Sequence, residues 1–371
     1  MQIQAAVLER ADGILLKNEI KIESVELEAP RAGEALIRVT SCGVCGTDRG
    51  CLHGLEPYPT PGVLGHEAAG IVEETGRDVT LVKTGDRVIV SFPFDGTCRN
   101  CRAGNPRYCL HGHELMFSGY RLDGSTPLAR ANGEKLAGRF FQQSSWATFA
   151  VVTEQQLAIV PEGCDHDLFG PLGCSITTGA GAILEELCPR PGSSIAVFGA
   201  GAVGLSAIMA ARLTGATTII AVDKEQNRLD LARDLGATHT LESGSNLAAQ
   251  IKEITKGGAD YAIESTNGAN LVAKACESLG ILGVCAMVGG AKQTAEVDLN
   301  HSDMMLNGKR LVGVMGGSTR TPSFHQTLMR LQAQGRFPLE KLVRYYDFAD
   351  INQAIKDSDS GAVVKPILRM Q

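Results

Sequence analysis

The sequence predicts an α/β protein, with a doubly wound parallel sheet in the C-terminal half and mostly β-structure before it. Three observations lead there. From Ser193 onward, short apolar runs alternate with segments of helical period, the pattern of strands joined by crossover helices. The run Ile195-Ala196-Val197-Phe198 passes directly into Gly199-Ala200-Gly201-Ala202-Val203-Gly204 and an apolar helix to about Leu213. The first ninety residues instead carry short apolar runs, such as Ala5–Leu8 and Leu36–Val39, separated by turn residues such as Pro30–Gly33.

The chain has 371 residues, 44% hydrophobic and 20% charged, the composition of an ordinary globular protein of two or three domains. A formal net charge of −6 argues against nucleic acid or an anionic membrane as partner. Met1–Arg10 has no basic start followed by an apolar core, which argues against a secretion signal. The uncharged stretch 191–211 is interrupted by four glycines, so it reads as strand, turn and buried helix and not as a membrane span. Eleven cysteines, an odd number with metal-like spacing at 98–109, suggest a reducing cytoplasm and thiolates used for metal.

In the C-terminal half the strand at 195–198 is followed by a second at 218–222, closed by Asp223. Glycines between a strand and a helix let a pyrophosphate approach the helix's positive end, so Gly199, Gly201, Val203 and Gly204 are assigned to a dinucleotide. Asp223, 24 residues after Gly199, accepts both ribose hydroxyls and repels a 2′-phosphate, favouring NAD over NADP; Lys224 and Arg228 soften that repulsion. Helices are expected over 225–235, 246–255 and 269–278, strands over 261–264 and 283–288, and an edge strand over 311–315. Helices over 322–334 and 350–357 and a strand over 363–368 complete the chain, and residues 111–135 read as a surface insertion without period.

The chemistry centres on Val63–Gly70, VLGHEAAG. An imidazole and a carboxylate side by side, His66-Glu67, suit a metal site, with Cys45 upstream and Cys174 far downstream as further ligands. Two thiolates and one imidazole fit Zn²⁺ with a fourth position open to water or substrate, and Glu67 either visits the metal or tunes its field. A lone Gly-His-Glu would be read as a surface turn. Here Gly70, Gly76 and Val79 extend it to G-H-E-x2-G-x5-G-x2-V.

That pattern, with Cys45 and Cys174, resembles the zinc signature of the medium-chain alcohol dehydrogenases. The resemblance runs from Cys45 to Lys365. It implies a Rossmann nucleotide domain over 173–316 and a GroES-like catalytic domain formed by 1–172 and 317–371. It assigns Cys45 to zinc, Thr47 to the substrate hydroxyl and Asp48 to the far nitrogen of His66. A helix start, capped by Thr47 or Asp48, is the compatible plain reading. It places Thr178 near the nicotinamide and Lys365 on the pyrophosphate, against a reading of Lys365 as a solvated lysine. Gly46 and Gly50 depart from better-known members, in which a basic residue contacts phosphate and a histidine ends the proton relay. His53 is nearby without any sequence sign that it substitutes.

The family's structural zinc lobe has the spacing C-x2-C-x2-C-x7-C. Here Asp95 stands in the first place, with Cys98, Cys101 and Cys109, so a three-thiolate, one-carboxylate zinc site is expected, weaker than four thiolates. An empty, reorganised lobe is the alternative. The pair Cys42-x-x-Cys45 would suit redox chemistry, but no strand–helix–strand pattern surrounds it.

Three stretches, FFQQSSWATFAVV, GPLGCSITTGAGA and INQAIKDSDSGAVVKPIL, look like bacterial aryl-alcohol (benzyl-alcohol) dehydrogenases and their monoterpene-alcohol relatives. The expectation is reversible, NAD-linked oxidation of a primary aromatic or allylic alcohol to the aldehyde by a homodimer or homotetramer. The rings at 140, 141, 146 and 149 read first as core packing, some with Phe92 as a substrate channel. A polyol or other secondary-alcohol dehydrogenase is a second reading, and a non-catalytic zinc-bearing scaffold a third.

Overall fold

The computed structural model describes all residues except 12–13, 16–19, 267, 291–293, 320–322 and 371. It divides into two compact units. The first comprises Met1–Cys174, Arg320–Ala333 and Leu339–Gln371, and the second Ser175–Thr319 with Gln334–Pro338.

The first unit is β-rich. One sheet runs in the order Leu157–Ile159, Arg87–Val90, Ala68–Thr75, Glu34–Gly43, Lys365–Arg369 and Val343–Asp347, with Phe149–Thr153 also pairing Glu34–Gly43. All its pairs are antiparallel except the last two strands. A second sheet is built on Gln2–Leu8 and Lys21–Leu27. Glu34–Gly43 is the central strand, buried along nearly all its length, and its C-terminal end delivers the chain to Cys45. Ser41 and Cys42 pair with Ala69 and Ala68, so that end lies beside His66-Glu67.

Gly65 shows why the signature needs glycine. Its φ is +90°, and a Cβ there would fall 2.4 Å from the Trp146 nitrogen. Segment 144–146 lies across 63–65: Trp146 N donates to Leu64 O, Ser145 N to Gly65 O and Ser144 Oγ to Val63 O. The rings of 140, 141 and 146 are all buried, as the packing reading expects.

The stretch 111–135 is not the bare surface insertion expected. Gly112–Phe117 is a helix with Leu115 and Met116 buried, and Phe117 packs on Phe140 and Phe141. A helix of six residues is too short to show a period, which hid it.

The second unit is a six-stranded parallel sheet in the order His239–Glu242, Thr218–Asp223, Ser194–Phe198, Ala259–Glu264, Leu279–Met287 and Arg310–Gly313. The first strand in sequence sits inside the sheet, and the order runs away from it in both directions, the doubly wound topology. Helices Ala202–Leu213, Gln226–Leu235, Leu247–Thr255 and Ala269–Ser278 alternate with the strands, and Arg310–Gly313 forms one edge. The first strand is buried throughout, as its continuous apolar run predicts. Helix Ser323–Ala333 starts just after 320–322; position 322, the expected helix start, lies outside the described residues.

Candidate metal centre and nucleotide site

Cys45, His66, Glu67 and Cys174 are all buried, and each offers one ligand atom within 4.8 Å of the others. Cys45 precedes the short helix Gly46–Leu52, and Cys174 ends the turn His166–Gly173. The two sulfurs are 3.9 Å apart. The bond from Cys174, with the charges of Lys365 and His66, outweighs burial and holds the Cys45 thiol well below its usual pKa.

Asp48 organises this group. Its Oδ1 accepts from Gly65 N at 3.1 Å and pairs with His66 Nδ1 at 2.8 Å, and its Oδ2 accepts from Cys45 N at 2.8 Å. With Nδ1–H directed at a carboxylate, the lone pair is left on Nε2. His66 Nε2 is buried and has no hydrogen-bond partner among the described residues. Burial disfavours a charged imidazole, yet the Asp48 and Cys45 charges outweigh it and hold the His66 pKa well above its usual value. An orphaned imidazole nitrogen facing two sulfurs is the donor set that zinc takes, and these residues fit that ion.

Glu67 is fully buried, and burial pushes its pKa up to about 7 against the pull of Lys365. Lys365 requires a correction. Its ammonium donates to Glu67 Oε2 at 2.9 Å and Val44 O at 3.1 Å, and the side chain is 2% exposed. It is not solvated, since Glu67 and the Val44 carbonyl engage it in the interior. The carboxylate and thiolates beside it need a buried counter-cation, and Lys365 supplies it.

Thr47 lies half-buried in the first turn after Cys45. His53 is bound to Asp359 on the surface, 3.2 Å away. The redox reading of Cys42 fails: burial pushes its thiol far up, and the partner of Cys45 is Cys174.

Asp95, Cys98, Cys101 and Cys109 form a second group within the same 4.8 Å limit, closer to the surface. Asp95 Oδ1 accepts from Thr97 N at 2.6 Å and Cys98 N at 2.8 Å. Oδ2 lies 3.3 Å from Cys109 Sγ and 2.6 Å from His111 Nδ1. One oxygen thus holds the turn while the other faces the sulfurs. Burial counts against the Asp95 charge, but the Cys98 N–H and His111 outweigh it and keep the carboxyl well below its usual range. Hydrogen bonds from Cys101 N and Leu110 N bring Cys98 down to about 7. This donor set also fits zinc. His111 was missed in the sequence, where its position two residues after Cys109 was the available signal.

In the second unit Gly199, Gly201, Val203 and Gly204 lie between strand Ser194–Phe198 and helix Ala202–Leu213. A Cβ on Gly204 would fall 1.7 Å from Gly199 O, so helix and loop meet backbone to backbone. A Cβ on Gly201 would meet no protein atom within 4 Å, which leaves that backbone open to a ligand. Asp223 is buried at the end of the next strand. Its Oδ2 accepts from Ala200 N at 2.6 Å and its Oδ1 from Glu225 N at 3.0 Å. Arg228 Nε is buried with no hydrogen-bond partner among the described residues, and Thr178 is buried in helix Ser175–Gly181. These groups fit a dinucleotide.

A parallel nucleotide sheet and a β-rich unit with two thiolate-containing clusters define a metal-dependent dehydrogenase. Comparison with known proteins agrees. Residues 31–162 match the family described as alcohol dehydrogenase GroES-like domain, and residues 202–333 match zinc-binding dehydrogenase. Geraniol dehydrogenase of Castellaniella defragrans is 38% identical over 368 residues, covering 98% of this chain and 97% of that one. The crystal structure of benzyl alcohol dehydrogenase from Acinetobacter calcoaceticus is 40% identical with a TM-score of 0.94, covering 100% of both chains. An alcohol dehydrogenase zinc-binding domain protein from Burkholderia ambifaria is 42% identical with a TM-score of 0.96, covering 100% of this chain and 99% of that one. The chain belongs to the zinc-dependent medium-chain alcohol dehydrogenase family and is an enzyme of that class. Among the described residues, no helix is long and apolar enough to cross a membrane.

Proposed function

We propose that this enzyme oxidises a primary aromatic or allylic alcohol to the aldehyde, reversibly and with NAD. Cys45, His66 and Cys174 hold the catalytic zinc, and Asp95, Cys98, Cys101 and Cys109 hold a structural one. The observation that carries the reading is the orphaned His66 Nε2 beside the two sulfurs. Zinc held by Cys45, His66 and Cys174 would supply a positive charge that favours the deprotonated alcohol, and a nicotinamide cofactor held by the Gly199–Gly204 loop would supply the hydride acceptor.

The residues around that chemistry have separable roles. Asp48 holds the His66 ring and the Cys45 backbone in one geometry. Glu67 and Lys365 form a buried pair that balances the thiolate charge. Thr47 orients the substrate oxygen, its hydroxyl lying in the turn that Cys45 starts. Gly50 offers no proton relay, and His53 is held by Asp359. Phe141 stacks on the His66 ring with centroids 4.3 Å apart, and Phe92 and Phe117 meet Phe141, an aromatic surround that suits an apolar ring or alkene. The names of the geraniol and benzyl alcohol relatives favour the same substrate class. Asp223 selects NAD through the unmodified ribose.

A reducing cytoplasm is the compartment that keeps Cys45, Cys174, Cys98, Cys101 and Cys109 available to a metal. Assembly as a dimer or tetramer uses the edge strand Arg310–Gly313 and the exposed side chains Leu282 and Leu306 near it. NADH absorbance with a panel of alcohols tests the proposal. Benzyl alcohol or geraniol as the best substrate supports it, and preference for a polyol or no turnover refutes it.

A further inference from the structure

The two metal groups lie on segments that one buried side chain fastens together. Asp95 is reached from strand Arg87–Val90 through Ser91 and Phe92, and Cys109 follows the turn Pro106–Tyr108. Arg107, in that turn, is 8% exposed. Its Nη2 donates to Ser91 Oγ at 3.1 Å, and its guanidinium lies 4.5 Å over the Phe92 ring.

Both of these contacts continue to a catalytic ligand. Ser91 Oγ is 3.5 Å from the carbonyl of Gly173, the residue before Cys174. Gly173 packs directly on the backbone before Ser91, where a Cβ would fall 2.2 Å from Val90 O. Phe92 meets Phe141 at 5.4 Å, and Phe141 stacks on His66.

We infer that Arg107 is a positioning residue that couples the Asp95/Cys98/Cys101/Cys109 lobe to Cys174 and His66, so that loss of the lobe metal loosens the catalytic one. The inference rests on the two-zinc reading above. Without the lobe metal the segment carrying Arg107 loses its anchor, and the grip on Ser91 and Phe92 goes with it.

Zinc release from the holoenzyme to a chromogenic chelator provides the test. The kinetic phase missing in Cys174→Ser identifies the catalytic site. Arg107→Gln and Cys98→Ser are each expected to speed catalytic-site release about tenfold, the usual scale for losing a partner of a metal ligand. The double variant is expected to be no faster than either single one, and Arg107→Lys to lie between wild type and Arg107→Gln. Additive rates, or an unchanged rate in Arg107→Gln, would overturn the coupling. If Arg107→Gln does not fold, Ser91→Ala replaces it in the same cycle with the same criteria. A wild-type zinc count near one per subunit overturns the two-site reading and the coupling with it; a count near two with additive rates overturns the coupling alone.

Discussion

Replacing Asp48 by asparagine keeps the shape of the side chain and changes one oxygen into an NH₂ group. The native carboxylate serves donors on both oxygens: His66 Nδ1 and Gly65 N on Oδ1, and Cys45 N on Oδ2. An amide has one acceptor. With its oxygen toward His66, the NH₂ faces Cys45 N–H, donor against donor, at a cost of about 1–3 kcal/mol. With its oxygen toward Cys45, the NH₂ faces Nδ1 and moves the imidazole proton to Nε2, which removes the ligand lone pair. Either orientation predicts about 10–100-fold weaker zinc binding, equivalent to about 1.4–2.7 kcal/mol. Competition between the purified variant and a calibrated chelator reads this directly, and NAD binding by fluorescence controls for folding. Wild-type zinc affinity in Asp48→Asn would refute the argument that this carboxylate sets the tautomer and holds the site.

Cys45→Ser and Cys174→Ser are expected to abolish alcohol oxidation while NAD binding persists, checked by steady-state assay and cofactor titration; full activity in either variant removes its cysteine from the metal site. Asp223→Ala is expected to weaken NAD binding about thirtyfold, about 2 kcal/mol for a lost carboxylate–hydroxyl contact, and to narrow the preference over NADP, measured as the ratio of kcat/KM values. Glu34 pairs with Arg121 at 2.7 Å and Arg139 at 3.3 Å, all nearly buried, so Glu34→Gln is expected to lower unfolding stability by about 3 kcal/mol in denaturant titration. Burial pushes the Glu34 pKa up, but the Arg121 hydrogen bond and the Arg139 charge outweigh it, leaving the pKa lowered. The stabilisation is therefore complete above the unfolded value near 4.3 and is lost as pH falls through the lower folded value, a dependence that Glu34→Gln should flatten.

The parallel sheet was legible because its strands are continuous apolar runs and its loop demands glycine, as the 1.7 Å approach at Gly204 shows. The grouping of Cys45, His66, Glu67 and Cys174 was legible because zinc accepts few residue types and the spacing after His66 is distinctive. What stayed hidden depends on partners far apart in the chain. Lys365 and Glu67 are separated by 298 positions, and nothing near Lys365 announces a buried carboxylate. Arg107 has no signal in the sequence, because burial, not local pattern, gives it meaning. The helix Gly112–Phe117 was too short for its period to register, although its apolar side chains close the aromatic packing around His66.

Anomalous diffraction from crystals of the enzyme, recorded on both sides of the zinc absorption edge, is the most direct measurement. Density bounded by Cys45 Sγ, His66 Nε2 and Cys174 Sγ is the predicted result, with a second maximum among Asp95, Cys98, Cys101 and Cys109. No peak at the first position in a preparation that turns over alcohol would contradict the account.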